Sequence, residues 1–333
     1  MPILEQGYEP YRGPVDGGGT RFLSIAAAAV RRNLRWYTWV FLLSSWFFGN
    51  IIEVFVLFMS YAPAALFGAN PDTIPPEFPI LANHPHFYGD LMATQVFWAL
   101  VMATVVGAGE IAEDFRTGAL TFYLGRPVTR LDYVLGKTVA VSAAVLAVTL
   151  LPTLVLFAAQ ALFEGSWGWL RDHARVLPAA LGMSLLVCVF ASGFVLGLSG
   201  MVKRRRWATV TVAAVLFGLT TVAAVLAPPR GWTSDAEQHH ATQAVREAKT
   251  PEDRKAAYGR LSDSLDPIGS GSKLAEWRAL SPGATLAAAG RDLFGNPVPS
   301  NFPAGRHWVF AVAFPLALLA VLWKRVRAVE VVA

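Results

Sequence analysis

The sequence predicts an all-α membrane protein: six transmembrane helices, an N-terminal interfacial amphipathic helix and a small helical extracytoplasmic segment. Three observations predict it. Of 333 residues, 54% are hydrophobic and only 15% charged, where a soluble domain carries about 25% charge. Six apolar stretches, near 36–61, 90–109, 134–161, 177–202, 207–227 and 307–323, approach the roughly 20 residues that a helical span needs. Lys and Arg are also distributed very unequally between alternate connections. A mean hydropathy of +0.44 excludes a disordered chain, a coiled coil and an ordinary cytosolic enzyme. The single cysteine, Cys188, excludes a disulfide scaffold and a cysteine-rich metal site.

Residues 1–19, rich in Gly and Pro, lack the basic start and apolar core of a signal peptide and read as a flexible cytoplasmic tail. Residues 20–35 form the amphipathic helix. Ser24, Ala28, Arg31 and Arg35 share one face, and Phe22, Leu23, Ala26, Val30 and Leu34 the other. A basic amphipathic stretch before a span lies in the membrane interface. Spans one to five occupy 36–227, and Pro152 predicts a kink in the third.

With a cytoplasmic N-terminus, the inner segments hold 16 of the 28 Lys and Arg, while the two short outer loops hold only Arg171 and Arg175. The positive-inside rule then places both termini in the cytoplasm of a multi-pass protein of the cell membrane. The outer segment 228–306 carries ten basic and nine acidic residues. Ser234 with Glu237, Thr250-Pro251 and Ser281-Pro282 are helix-start signals there. They predict three or four short helices folded against the membrane domain. Residues 307–333 are the last span and a cytoplasmic C-terminus.

The inner loop 110–137 carries the functional signal. Glu110, Glu113, Asp114, Arg116, Arg126, Arg130, Asp132 and Lys137 concentrate opposite charges at the cytoplasmic surface. Phe115, Leu120, Phe122, Tyr123 and Leu124 lie among them. Apolar knobs between charges suit docking into a groove of a soluble partner, the charges fixing register. They equally suit a solvated connector with interfacial aromatics. Gly136-Lys137-Thr138 mimics part of a phosphate-binding loop, but the glycine needed five residues earlier is Leu131, and the run opens a span. The chain is therefore expected to bind no nucleotide or other cofactor itself.

Other intramembrane residues leave alternatives open. Glu53, Gln95 and Gln160 are candidates to line a pathway, or to be hydrated or bonded between helices. Gly193 and Gly197 form a G-x-x-x-G whose close approach serves intrachain packing or dimerisation. His84, His86, His239 and His240 lack metal-ligand spacing, so no metal site is expected. Lys203 to Arg206, a basic run at a span end, reads as a topology anchor in contact with anionic lipid rather than a nucleic-acid site.

The inner loop resembles that of ABC transporter permeases of the type 2 exporter class, six-span membrane subunits. The matching residues are Glu113-Asp114, Gly118-Ala119-Leu120, Arg126-Pro127-Val128-Thr129-Arg130 and Gly136-Lys137. The six-span layout, the preceding amphipathic helix and the long connection before the last span are similar too. The resemblance implies that this loop carries a coupling helix contacting an ABC ATPase subunit in two copies, with ATP and Mg in that partner. It also implies a second permease chain, same or homologous, and export by alternating access. The implied docking surface is Phe115, Arg116, Thr117, Gly118, Leu120 and Tyr123, with Glu113 and Arg126 holding the loop; Asp114, Pro127 and Arg130 complete the motif. No residue is expected to be catalytic. The alternative reading is a membrane scaffold or sensor whose extracytoplasmic segment binds a partner protein. A lipid-modifying membrane enzyme ranks lower, because no His lies near the acidic cluster on that side.

Overall fold

The computed structural model describes residues 21–67, 87–119, 129–226, 243, 253, 281–295 and 305–326. Among them there are helices and no strand. In chain order these are α1 (Arg21–Asn33), α2 (Trp36–Phe67), α3 (Phe87–Gly107), α4 (Glu110–Thr117), α5 (Arg130–Val148), α6 (Leu150–Glu164), α7 (Trp167–Asp172), α8 (Val176–Ser199), α9 (Arg205–Leu226), α10 (Pro282–Leu293) and α11 (Arg306–Arg325). Six stretches are long and apolar enough to cross a membrane: α2, α3 running into α4, α5 with α6, α8, α9 and α11. The chain is a multi-pass membrane protein, as the apolar runs predict.

Contacts at the helix ends fix an alternating up-and-down path. At one end, the charged end, the start of α5 meets α4, the end of α8 approaches α4 and the start of α9, and the end of α11 meets the end of α8. Ser199 Oγ accepts from the Ala112 amide at 3.2 Å, and Arg325 Nη1 donates to the Gly200 carbonyl at 2.8 Å. At the far end, the Tyr61 hydroxyl on α2 donates to Glu164 on α6 at 2.6 Å. The Tyr88 hydroxyl on α3 donates to Gln160 on α6 at 2.6 Å.

α8 is the central helix. It is 78% buried over its apolar stretch, against 22% for α9 and α11. An apolar helix whose outer faces meet lipid needs no polar covering, so α2 leaves Trp39, Leu43, Phe47, Ile51 and Phe55 exposed. Gly193 and Gly197 resolve their two alternatives within the chain. A Cβ on Gly193 would lie 2.6 Å from Pro315 Cβ and 2.7 Å from the Pro315 carbonyl oxygen, and one on Gly197 would lie 2.6 Å from Leu318 Cβ. The missing side chains let α11 lie directly on α8.

The third span is broken where its proline predicts. Helix α5 stops at Val148 and α6 starts at Leu150, around Thr149. Pro152 has no amide to return to the Val148 carbonyl, and its ring crowds that carbonyl. Ser281-Pro282 starts α10 as expected, with Ser281 as N-cap and proline at the first position. Leu286 and Ala289 of α10 join the main core, so this part of the outer segment folds against the membrane domain. The other helix-start pairs of that segment, Ser234 with Glu237 and Thr250-Pro251, lie outside the described residues, as do the four histidines tested for metal spacing.

Helix α1 differs in detail from its expected apolar face. Leu23 and Leu34 are about half exposed, at 49% and 52%. The buried line is Ile25, Ala26, Ala29 and Asn33, a helical stripe that packs on α5. The close approach occurs at Gly136, where a Cβ would meet Ile25 Cβ at 2.8 Å and the Phe22 carbonyl at 2.9 Å. Gly136, in the run that only mimics a phosphate-binding loop, is thus the notch into which α1 fits.

Candidate functional site: the charged end and its short helix

The second span does not end with α3. After a two-residue turn at Ala108-Gly109, α4 continues with Glu110, Ile111, Ala112, Glu113, Asp114, Phe115, Arg116 and Thr117. Gly118 ends it in the left-handed conformation, φ 66°, its amide bonded back to the Asp114 carbonyl. Glycine suits that helix stop because it has no Cβ to clash. The next element, α5, begins with a reciprocal cap: Thr129 Oγ1 accepts from the Asp132 amide at 3.1 Å, and Asp132 Oδ2 accepts from the Thr129 amide at 3.0 Å.

Two faces of α4 behave differently. Glu110, Ile111, Ala112 and Asp114 are buried. This corrects the expectation that the loop charges all lie at the surface. Lys137 is also buried, with side-chain exposure of 2%, and its Nζ bridges Glu110 Oε2 at 2.8 Å and Asp114 Oδ2 at 2.7 Å. Arg32, at the end of α1, pairs with Glu110 and reaches Asp114 at 3.7 Å. Asn33 Nδ2 donates to Glu110 Oε1 at 3.1 Å, and the Tyr133 hydroxyl donates to Asp114 Oδ2 at 2.8 Å. Two carboxylates and two cations therefore cancel in a buried cluster that ties α1, α4 and α5 together. Burial without such pairing would be prohibitive for Glu110, Asp114 and Lys137, whereas Arg32 closes the cluster from its partly exposed side.

The other face of α4 is open. Glu113 pairs with Arg116, whose Nε donates to Glu113 Oε2 at 3.1 Å. This is a solvent-facing i,i+3 pair of the kind worth little in stability. Arg116, Thr117 and Gly118 are exposed, and Phe115 is half-buried against the core. The structure thus separates the motif. Asp114, together with Glu110 outside the motif, anchors the helix, whereas among the described residues Glu113 bonds only within it. Arg130 is half-buried at the first position of α5. Leu120, Tyr123, Arg126 and Pro127 lie outside the described residues.

Arg32 and Asn33 lie outside the loop and escape a reading of it alone. A signal for the anchor does exist: Glu110 and Asp114 are four apart, and so are Tyr133 and Lys137, so each pair falls on one helical face.

Beside the open face lies a groove of about 970 Å³ lined by Glu113, Arg116, Arg204, Arg205, Arg206, Trp207 and Val210. Gly109 lies against one of these linings: a Cβ there would fall 2.5 Å from Arg205 Cγ. The stem of Arg205 lies across that glycine.

The intramembrane polar residues form hydrogen-bonded pairs between helices. Gln95 Nε2 donates to Asn50 Oδ1 at 2.6 Å, and the Thr153 hydroxyl donates to Gln95 Oε1 at 3.2 Å. Gln160 accepts from Tyr88 and donates to the Tyr61 oxygen at 3.4 Å. Glu53 is half-buried on α2 and forms no ion pair among the described residues. Cys188 is buried in α8. No group of three or more His, Cys, Asp and Glu with metal-holding geometry occurs among the described residues.

In the comparison with known protein families, the model of the ABC-2 family transporter proteins matches residues 32–246. The match opens at Arg32 and contains α4, the buried charge cluster and the groove. No curated protein matches the chain.

Proposed function

The chain belongs to the ABC-2 family of transporter proteins, a transmembrane permease in role, and on that premise we propose that it couples ATP hydrolysis by a partner subunit to export. ATP and Mg act in the partner; this chain supplies the membrane path and the lever. The observation that carries the reading is the construction of α4: a short helix in line with the second span, locked on its inner face and open on its outer face.

The locked face makes α4 a rigid extension. A push on Phe115, Arg116, Thr117 or Gly118 is passed through Glu110 and Asp114 to Arg32 and Lys137, and so to α1 and α5. Rigid bodies with few arrangements transmit small displacements into helix rocking. A nucleotide drives this only by favouring one arrangement over another. In this reading two ATPase subunits dock on two such helices, one from each of two permease chains, same or homologous. Leu120, Tyr123, Arg126 and Pro127 extend the docking surface by family resemblance. The charged end faces the cytoplasm with both termini. The six helices then alternate between inward and outward openings for a cargo whose chemistry the site does not encode.

The test is isolation of the intact chain from native membranes in mild detergent, with identification of what accompanies it and an ATPase assay. A nucleotide-binding subunit should copurify. Arg116→Ala, which leaves the buried cluster untouched, should lower both its recovery and ATP hydrolysis while insertion stays normal. A chain that emerges alone, or a variant with unchanged recovery and hydrolysis, would sink the coupling assignment.

A further inference from the structure

The groove beside α4 is not needed for the lever. Three arginines from the turn before α9 and its start, Arg204, Arg205 and Arg206, converge there with Arg116, against a single carboxylate among the described residues, Glu113. Arg116 is satisfied by Glu113. Arg204, Arg205 and Arg206 form no ion pair among the described residues. The groove therefore carries a surplus of three positive charges. Its remaining walls are apolar: Trp207 is 61% exposed and Val210 56% exposed.

The apolar wall continues. Trp207, Val210, Ala214 and Phe217 are all exposed and follow one another at spacings of three, four and three residues. That spacing keeps them on one face of α9, a strip about 15 Å long at 1.5 Å per residue. A cationic groove at a span end thus opens directly into an apolar track along the same membrane helix. A guanidinium cluster matches a phosphate by paired hydrogen bonds. A tryptophan at the head of a span matches the headgroup boundary.

We propose that this groove is a binding site for one anionic phospholipid, its phosphate held by Arg204, Arg205 and Arg206 and one acyl chain lying along Trp207, Val210 and Phe217. Charge chooses the occupant: a zwitterionic lipid leaves the surplus uncancelled, and a free phosphate leaves the apolar track bare. Gly109 keeps the site shaped, because a side chain there would displace the Arg205 stem. Glu113 opposes the ligand. The site depends only on the chain spanning a membrane, so it stands or falls apart from the ATPase reading.

The experiment is native mass spectrometry of the intact chain in detergent. It is titrated with phosphatidylglycerol and, separately, with phosphatidylcholine of the same acyl chains. One saturable phosphatidylglycerol adduct should form at concentrations about tenfold below those for phosphatidylcholine. A basic side chain near an anionic surface contributes about fivefold in affinity, so R204Q/R206Q should lose about twenty- to thirtyfold. E113Q should bind several-fold more tightly, a gain that damage to folding does not produce. W207A should weaken phosphatidylglycerol binding several-fold. Soluble glycerol phosphate should not compete at equal concentration. Equal retention of the two lipids, an E113Q variant with unchanged affinity, or full competition by glycerol phosphate or inorganic phosphate would each overturn the proposal.

Discussion

Replacing Lys137 by methionine tests the buried cluster most directly, because it keeps the side chain's length and removes only its charge. Lys137 Nζ lies 2.7–2.8 Å from two carboxylates whose side chains are 5% and 3% exposed. At an effective dielectric constant of about 20, each such pair attracts by about 6 kcal/mol before desolvation is counted. Desolvation offsets much of that, several kcal/mol per ion, and the net cost of removing one partner from a buried network is about 3–5 kcal/mol. Arg32, with its side chain 38% exposed, remains to face two carboxylates alone. Lys137→Met should therefore lower the midpoint of thermal unfolding in detergent by about 6–10 °C, at about 2 °C per kcal/mol for a chain of this size.

The decisive comparison is the double variant. Asp114→Asn with Lys137→Met leaves Arg32 and Glu110 as a matched pair, and the carbonyl of the introduced amide still accepts from Tyr133. It should recover at least half of the loss. A single variant within about 1 °C of wild type, or a double variant whose losses add, would refute the claim that these charges are buried and coupled; independent sites add within about 0.5 kcal/mol.

Two further outcomes follow from close helix approaches. Gly193→Leu drives a side chain into the Pro315 carbonyl and should cost about 1–3 kcal/mol or more by overpacking; thermal unfolding and protease accessibility of α11 would check this, and an unchanged pair of readouts would contradict the α8–α11 contact. Gly136→Val collides with Ile25 and the Phe22 carbonyl. It should lift α1 from α5, read as faster amide hydrogen exchange across residues 21–33 with α8 unaffected.

The architecture was legible because the bilayer imposes a simple rule: long apolar runs must be helices. Five of the six expected spans agree with the observed ones to within a few residues, the second running eight residues further through α4, and Pro152 marked the break at Thr149. Two things resisted. The G-x-x-x-G of Gly193 and Gly197 states that something packs closely but not what; that α11 answers, through Pro315 and Leu318, is a tertiary fact. The loop charges were read as a surface group, because composition reports how many charges there are and not which way they face. Glu110 and Asp114 differ from Glu113 only by the helical rotation between them. Their partner Lys137 closes the same loop, but Arg32 comes from the far side of α2 and α3, 78 residues before Glu110. The charged motif was visible as a string, but its division into an anchoring face and an open face was not.

The break at Thr149 gives the third span a different mechanical character from its neighbours. An unbroken helix is a stiff rod, and whatever displaces its foot displaces its head. Here α5 is bolted at its foot to α4 through Lys137 and Tyr133, and α4 in turn to α1 through Arg32. α6 is bolted at its head to α2 and α3 through Glu164 and Gln160. Between the bolts one rung of the ladder is missing, because Pro152 has no hydrogen to give. The third span is then a two-link arm with its elbow between those bolts, placed where that one backbone bond is never made.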